Sequence, residues 1–531
     1  MSMLAECDAQ RTSPPRAGRR EWLGLAVLAL PCLLVSMDLT VLYLAVPALS
    51  ADLKPSSSQL LWIVDIYGFM IAGSLITMGT LGDRIGRRRL LLTGAAAFGV
   101  ASVLAAFSTS AGMLIATRAV LGIAGATLMP STLSLIRNMF HDSGQRTVAI
   151  AVWTTSFTVG GVLGPLLGGL LLEQFWWGSV FLLGVPAMML LLVLGPVLLP
   201  EFRDPGAGRF DLTSAALSLI AVLGAIYGIK RLAEDGPGWL PALSIVAGLA
   251  IGIVFVRRQR TLAEPLIDLR LFQAHAFSAS VATNMLAFVV LFGTYLFITQ
   301  YLQLVLGLSP LQAGLWTVPS SVGFMVGSMV TPVIARRVRP AFVVPAGLAL
   351  AAVGFLVLTQ VDGASGLAVL VTGSVIYSLG LAPVYILSTD MVVGTAPPER
   401  AGAASAISET GTEFGGALGI AILGSIGTAV YRRAMADVVL DGVPPEVAEA
   451  ARSTLGGALA AAERLPDQLG AELLVMAREA FAHGLQLIAV TSAVVVTGLV
   501  VVLLLRVGAG SESEPELGAT GAVAGSTHIG R

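Results

Sequence analysis

Residues 36–47 read Ser36-Met37-Asp38-Leu39-Thr40-Val41-Leu42-Tyr43-Leu44-Ala45-Val46-Pro47, inside an apolar run from Trp22 to Ala48 whose only charged side chain is Asp38. A helix of roughly 27 residues rising ~1.5 Å per residue is long enough to cross a ~30 Å hydrocarbon core at a tilt. A carboxylate inside such a helix costs roughly 2.5–3.5 kcal/mol on insertion scales, so it must face protein or water. Asp38 is therefore a candidate functional residue. The plainer alternative is a hydrogen bond that packs two helices together.

The rest of the chain repeats the pattern of that run. Of 531 residues 56% are hydrophobic and 12% charged, where soluble domains carry about 25% charged residues. Apolar runs fall at 21–48, 60–82, 89–108, 112–136, 147–172, 177–199, 212–230, 239–256, 277–303, 310–335, 341–360, 365–392, 402–430 and 482–506. The fold class is thus an all-α polytopic membrane protein with about fourteen transmembrane helices. The first run is too long for the ~7–15-residue core of a signal peptide and reads as an uncleaved span. A net charge of -1 gives no pull towards nucleic acid. Cys7 and Cys32 form no disulfide framework, and no His or Cys spacing fits a metal or cofactor. His141 and His275 read as solvated loop residues.

Arginine placement sets the orientation, because cytoplasmic loops collect positive charge. Arg11, Arg16, Arg19 and Arg20, then Arg84 to Arg89, Arg137, Arg146, Arg203, Arg209, Arg257 to Arg270, Arg336 to Arg339, Arg400 and Arg506 fall on the N-terminal side. Only Lys54, Lys230 and Arg231 fall in short loops opposite. Both termini are then cytoplasmic and the chain is multi-pass in the plasma membrane. Its divisions are a tail at 1–20, a six-helix bundle at 21–199, an inserted pair with its loops at 200–275, a second six-helix bundle at 276–506, and a polar tail at 507–531. The second bundle includes an external helical hairpin at 431–480, entered at Pro444-Pro445 and broken at Pro466.

Between spans two and three stands Gly79-Thr80-Leu81-Gly82-Asp83-Arg84-Ile85-Gly86-Arg87-Arg88-Arg89. By itself it is a tight, positively charged turn whose glycines permit close helix approach. Its combined spacing resembles the signature loop of the major facilitator superfamily. Span four carries Arg118-Ala119-Val120-Leu121-Gly122-Ile123-Ala124-Gly125, similar to a family pattern linked to proton coupling, with Leu121 where glutamine is common. Span five reads Gly160-Gly161-Val162-Leu163-Gly164-Pro165-Leu166-Leu167-Gly168-Gly169. Small residues at helical spacing let helices pack closely, and this order resembles the antiporter motif of drug:proton exchangers. Asp38-Leu39-Thr40-Val41 with Ala45 and Pro47, and the stretch Leu61 to Tyr67, resemble the fourteen-span QacA-type multidrug efflux proteins.

That resemblance implies two six-helix bundles plus two central helices, a gating loop at Gly79, Gly82, Asp83, Arg84, Gly86, Arg87 and Arg88, and export by exchange for protons. Asp38, Asp65 and Arg118 lie at similar depth by helix rise. One aspartate would pair with Arg118 and leave the other to hold and release a proton. Glu409 and Glu413, four apart and so on one helix face, suggest with Trp62, Tyr67 and Phe324 a cavity for organic cations; the alternative is that Glu413 only packs against a neighbour. Phe324 stands where relatives commonly carry a further acid, which weighs against divalent cations. The expected partners are protons, the lipid bilayer and a small amphipathic substrate, cationic or aromatic, with the chain acting as a monomer. A dedicated exporter of one endogenous metabolite or antibiotic is the alternative on the same fold. A membrane receptor or enzyme is the remote one, for which no catalytic constellation is visible.

Overall fold

The computed structural model describes residues 16–203, 211–236, 238–262, 265–267, 269–362, 366–395, 401–436 and 445–511. The leading residues 1–15, Arg209, Arg400 and the tail from 512 lie outside them. Fourteen helical segments among the described residues are long and apolar enough to cross a bilayer, and no strand occurs among them.

The first group comprises α1 (Arg19–Leu53), α2 (Ser57–Ile85), α3 (Arg87–Ala106), α4 (Ala111–Met139), α5 (Ser143–Gln174), α6 (Ser179–Leu182) and α7 (Gly184–Leu198). The last two share one span. It breaks at Leu183 because the Pro186 ring nitrogen cannot bond back to the carbonyl of Leu182. The helices begin at polar caps: the side chains of Ser56, Ser110 and Asp142 accept from the amides of Gln59, Met113 and Gln145. Between α2 and α3 there is a single residue, Gly86, at φ +112°. Only glycine holds that backbone without strain.

Next come α8 (Leu212–Asp235) and α9 (Trp239–Thr261), packed on each other. The second group is α10 (His275–Gln300), prolonged by a wide π turn at Tyr301–Val305, then α11 (Pro310–Ala335), α12 (Pro340–Leu358), α13 (Gly366–Gly394), α14 (Ala401–Ala436), α15 (Pro445–Ser453), α16 (Leu455–Ala462) and α17 (Asp467–Ser511).

The two groups repeat one packing scheme. In the first, α1 packs on α5, α2 on α4, and α3 on α4 and α7; in the second, α10 packs on α14, α11 on α13, and α12 on α13 and α17. Glycines make the matching seams. A Cβ at Gly160 or Gly164 of α5 would run into Leu33 and Thr40 of α1, and one at Gly415 or Gly419 of α14 into the Met285 and Val289 carbonyls of α10. This internal repeat is scarcely visible in the sequence, because packing needs small residues at a spacing and not identical ones.

Call the side holding the start of α1, the Gly86 turn and the end of α17 the near side. The groups meet only away from it in the contacts described. Gly169 of α5 lies against Leu311 of α11, where a Cβ would come within 2.6 Å of the Leu311 Cα. Ser309 donates to Glu173 at the same level. Tyr43 of α1 meets Tyr295 of α10 edge to face at 5.2 Å, and Gln303 donates to the Leu44 carbonyl at 3.1 Å. Gly68 of α2 faces Ala417 of α14 at mid-depth, and Gly424 faces Leu61 beyond it.

The polar piece before the last span differs from the expected hairpin. Its helices α15 and α16 cap the far side, Ser57 donating to the Ser453 carbonyl at 2.6 Å and Tyr431 to that of Ala451 at 2.8 Å. After Pro466 the chain enters α17 and does not leave it until Ser511. The expected second arm and the last span, placed at 482–506, are one helix, since nothing between Asp467 and Phe481 breaks it.

Candidate functional site

A cavity of about 320 Å³ lies where the two groups face each other. Helix α2 presents Val64, Asp65 and Gly68 to it, α14 presents Glu409, Glu413 and Gly416, and α11 presents Phe324. Helix α10 contributes Phe288, Leu291, Phe292 and Tyr295, spaced i, i+3, i+4, i+7 and so on one face. Trp153 and Phe157 of α5 and Tyr385 of α13 extend the aromatic lining. Tyr385 stands 5.3 Å from the Phe288 ring and 6.2 Å from that of Phe324.

Arg118 of α4 borders the cavity but spends its donors on its neighbours. Nη1 donates to Asp38 Oδ2 at 2.6 Å, Nε to the Ile63 carbonyl at 3.1 Å and Nη2 to the Val64 carbonyl at 3.4 Å. Its guanidinium lies 4.7 Å over the Tyr67 ring, a contact worth about 2 kcal/mol when desolvated. The approach of α4 to α2 that permits this rests on Gly122, where a Cβ would lie 2.5 Å from the Tyr67 carbonyl oxygen. The carboxylate is 15% exposed and the guanidinium 1%; of the two, Arg118 borders the cavity and Asp38 stands behind it.

Asp65 departs from the expected three-residue cluster. Its carboxylate is paired with Lys230 of α8: Nζ lies 2.7 Å from Oδ2 and donates to Oδ1 at 2.9 Å, with both side chains fully buried. The ammonium also lies 3.8 Å over the Trp62 ring. Lys230, expected in a loop, is in fact inside, because α8 continues to Asp235. Sequence reasoning missed this residue. One signal was available: Lys54 and Lys230 are the only lysines in a chain that otherwise uses arginine.

Trp62 and Tyr67 do not line the cavity, contrary to expectation. At 100° per residue, position 67 lies about 200° round α2 from Asp65 and faces α4, and Trp62 turns towards α8. Depth along a helix can be counted from sequence, whereas the facing direction cannot. The aromatic rings of α10 and α13 were missed because apolar spans hold many such residues.

In the α2–α3 turn the described contacts run to the segment after α7. The Arg87 amide donates to the Phe202 carbonyl at 2.9 Å, the Arg88 amide to Glu201 at 3.1 Å, and the Arg88 guanidinium to the Leu199 carbonyl at 3.0 Å. Gly82 lies against Arg87 and Leu90, and Gly79 against Pro130. Arg84 is exposed, and the side chain of Asp83 lies outside the described ones. Of the span-five residues, Gly160, Gly164 and Gly168 face α1, while Gly169 and the Pro165 carbonyl face α11.

Residues 28–420 match the family described as Major Facilitator Superfamily. The chain is 45% identical to "Multidrug efflux pump LfrA" of Mycolicibacterium smegmatis over 93% of its own length and 97% of that protein. It is 36% identical to "Methyl viologen resistance protein SmvA" of Salmonella typhimurium, over 87% and 93%. Among solved structures, a bacterial homolog to the human lysosomal transporter Spinster, in an inward-facing and unoccupied conformation, superposes with a TM-score of 0.64 at 18% identity, covering 92% of this chain and 98% of that one.

Proposed function

This chain belongs to the major facilitator superfamily, and from that premise we propose that it exports amphipathic organic cations across the plasma membrane in exchange for protons. One observation carries the reading: the cavity between the two groups combines the carboxylates of Asp65, Glu409 and Glu413 with a wall of aromatic rings. Carboxylates attract a cation, and ring faces hold a desolvated one. The names of the relatives, a multidrug efflux pump and a methyl viologen resistance protein, agree with such a substrate.

In this reading 21–199 and 276–506 are the two bundles that rock about the cavity, 200–275 is the inserted pair, and one chain is the transport unit. The near side is cytoplasmic. The contacts at Gly169 and Tyr43 then close the outside, and the cavity receives substrate from within. A proton from outside reaches Asp38 or Asp65, and protonation of Asp38 releases Arg118. Glu409 and Glu413, with Phe324 beside them, hold the cation. The glycines of α5 let the closed far seam form, and the loop from Gly79 to Arg88 governs the near one.

Inside-out vesicles carrying the purified chain test this. An imposed proton gradient, acid inside, should drive accumulation of a fluorescent organic cation, and collapse of the gradient should abolish it. No accumulation sinks the reading. A panel of dyes and quaternary ammonium compounds separates a multidrug exporter, which accumulates many, from an exporter of one metabolite.

A further inference from the structure

Among the described residues, Lys230 is the one charged side chain of the inserted pair that is fully buried. It approaches Asp65 from behind: Asp65 borders the cavity, and Lys230 does not. A single carboxylate thus faces a tethered ammonium on one side and the substrate space on the other. The ammonium is held by two carboxylate oxygens and one indole face. A carboxylate beside an aromatic ring is also the chemistry that would hold an organic cation.

We propose that Lys230 is a built-in competitor for the substrate, occupying the Asp65 carboxylate while the cavity is empty and giving it up when an organic cation binds. The inference rests on the functional reading above. A lysine suits the task, because its flexible four-carbon stem lets a point charge withdraw, whereas a guanidinium fork would be locked in place. The Trp62 face offers the withdrawn ammonium a place to remain.

The rival role is a staple fixing α8 to α2. That role is already filled by apolar packing, since Ile226 of α8 lies in one buried cluster with Phe69 of α2 and with Ala417 and Ala421 of α14. A buried ion pair also adds little stability over apolar residues of similar volume.

Purified full-length protein and ethidium, a monovalent aromatic cation, provide the test. Lys230→Met should tighten ethidium binding by about tenfold or more, because it leaves Asp65 uncompensated until a cation arrives. Asp65→Asn should weaken binding, and the double variant should match Asp65→Asn within about twofold, as expected when one residue acts only through the other. A neutral aromatic probe should bind all four proteins alike. Ethidium affinity unchanged in Lys230→Met overturns the proposal in favour of the staple. Should that variant not fold, the wild type decides: with 15Nζ-labelled lysine the chain gives two ammonium signals, and saturating ethidium must shift that of Lys230 and leave that of Lys54. A Lys230 signal that stays put overturns the proposal alone. A wild type that binds no organic cation overturns the functional reading and the proposal with it.

Discussion

Asp38 and Arg118 form a contact in which each side chain removes the other's desolvation problem. Their 2.6 Å hydrogen bond leaves a buried guanidinium satisfied and a carboxylate that is only partly exposed. Asp38→Asn keeps the shape and one acceptor but cannot carry a proton. It should abolish proton-driven exchange in inside-out vesicles while the purified variant still binds ethidium; full exchange activity would remove Asp38 from the mechanism. That Arg118 needs an acid was legible in the sequence, since Asp38 and Asp65 lie at its depth in apolar spans, but which of the two pairs with it was not. Nor was the Asp65–Lys230 pair. The run Ile229-Lys230-Arg231-Leu232-Ala233-Glu234-Asp235 looks like the polar end of a span, and the partner lies 165 positions away. Only the docking of α8 on α2 brings the two together.

At the scale of helices, the glycines of α5 divide into two tasks on two faces. Gly160 meets α1 within its own group, and Gly169 meets α11 across the seam. Gly160→Val should therefore lower the thermal midpoint of the purified protein, at a cost of about 1–3 kcal/mol for overpacking. Gly169→Val should leave that midpoint nearly unchanged and shift the protein towards a far-side-open state, read by faster modification of a cysteine placed at Leu311. Equal loss of stability in both variants would show that the seam is as permanent as the bundle interior. The motif announced close packing, but helical spacing alone does not say which neighbour each glycine meets. The inserted hairpin has its own electrostatic clasp. Asp211 caps α8 by accepting from the Ser214 amide at 3.1 Å and the Arg258 guanidinium at 3.1 Å. Burial alone would raise the Asp211 carboxyl, but the Ser214 and Arg258 hydrogen bonds hold it below its ordinary value. A carboxyl lowered in the folded state stabilises above its unfolded pKa and loses that contribution as pH falls through the folded one. Acidification below the ordinary carboxylate range should thus speed amide hydrogen exchange in the first turn of α8. In Asp211→Asn that extra acid sensitivity should vanish.

For the whole molecule, two groups built on one packing scheme meet, in the contacts described, along a seam that runs from the far side to mid-depth at Gly68 and Ala417. Glu173 and Ser309 touch across that seam. Cysteines at these two positions, in a chain whose Cys7 and Cys32 are replaced, should react with a short bifunctional thiol reagent. The linked protein should stop transporting and recover when a cleavable linker is cut; transport that continues through the link would mean that the seam need not open. Fold class and span number were plain in the composition and run lengths, because a bilayer demands both. The repeat between groups was hidden, since it is written in contacts such as Gly160 with Leu33 and Gly419 with Val289 rather than in shared residues. The ion pair between α2 and α8 also bears on ancestry. Excising the inserted hairpin alone would leave Asp65 at the cavity with its ammonium gone, the same bare carboxylate that Lys230→Met creates. Had the hairpin been acquired by a twelve-helix ancestor, the simplest course is that the acid and the lysine arrived together, or the acid first with another cation beside it. Twelve-helix relatives should accordingly lack an acid at this position of their second span or place a substitute cation against it.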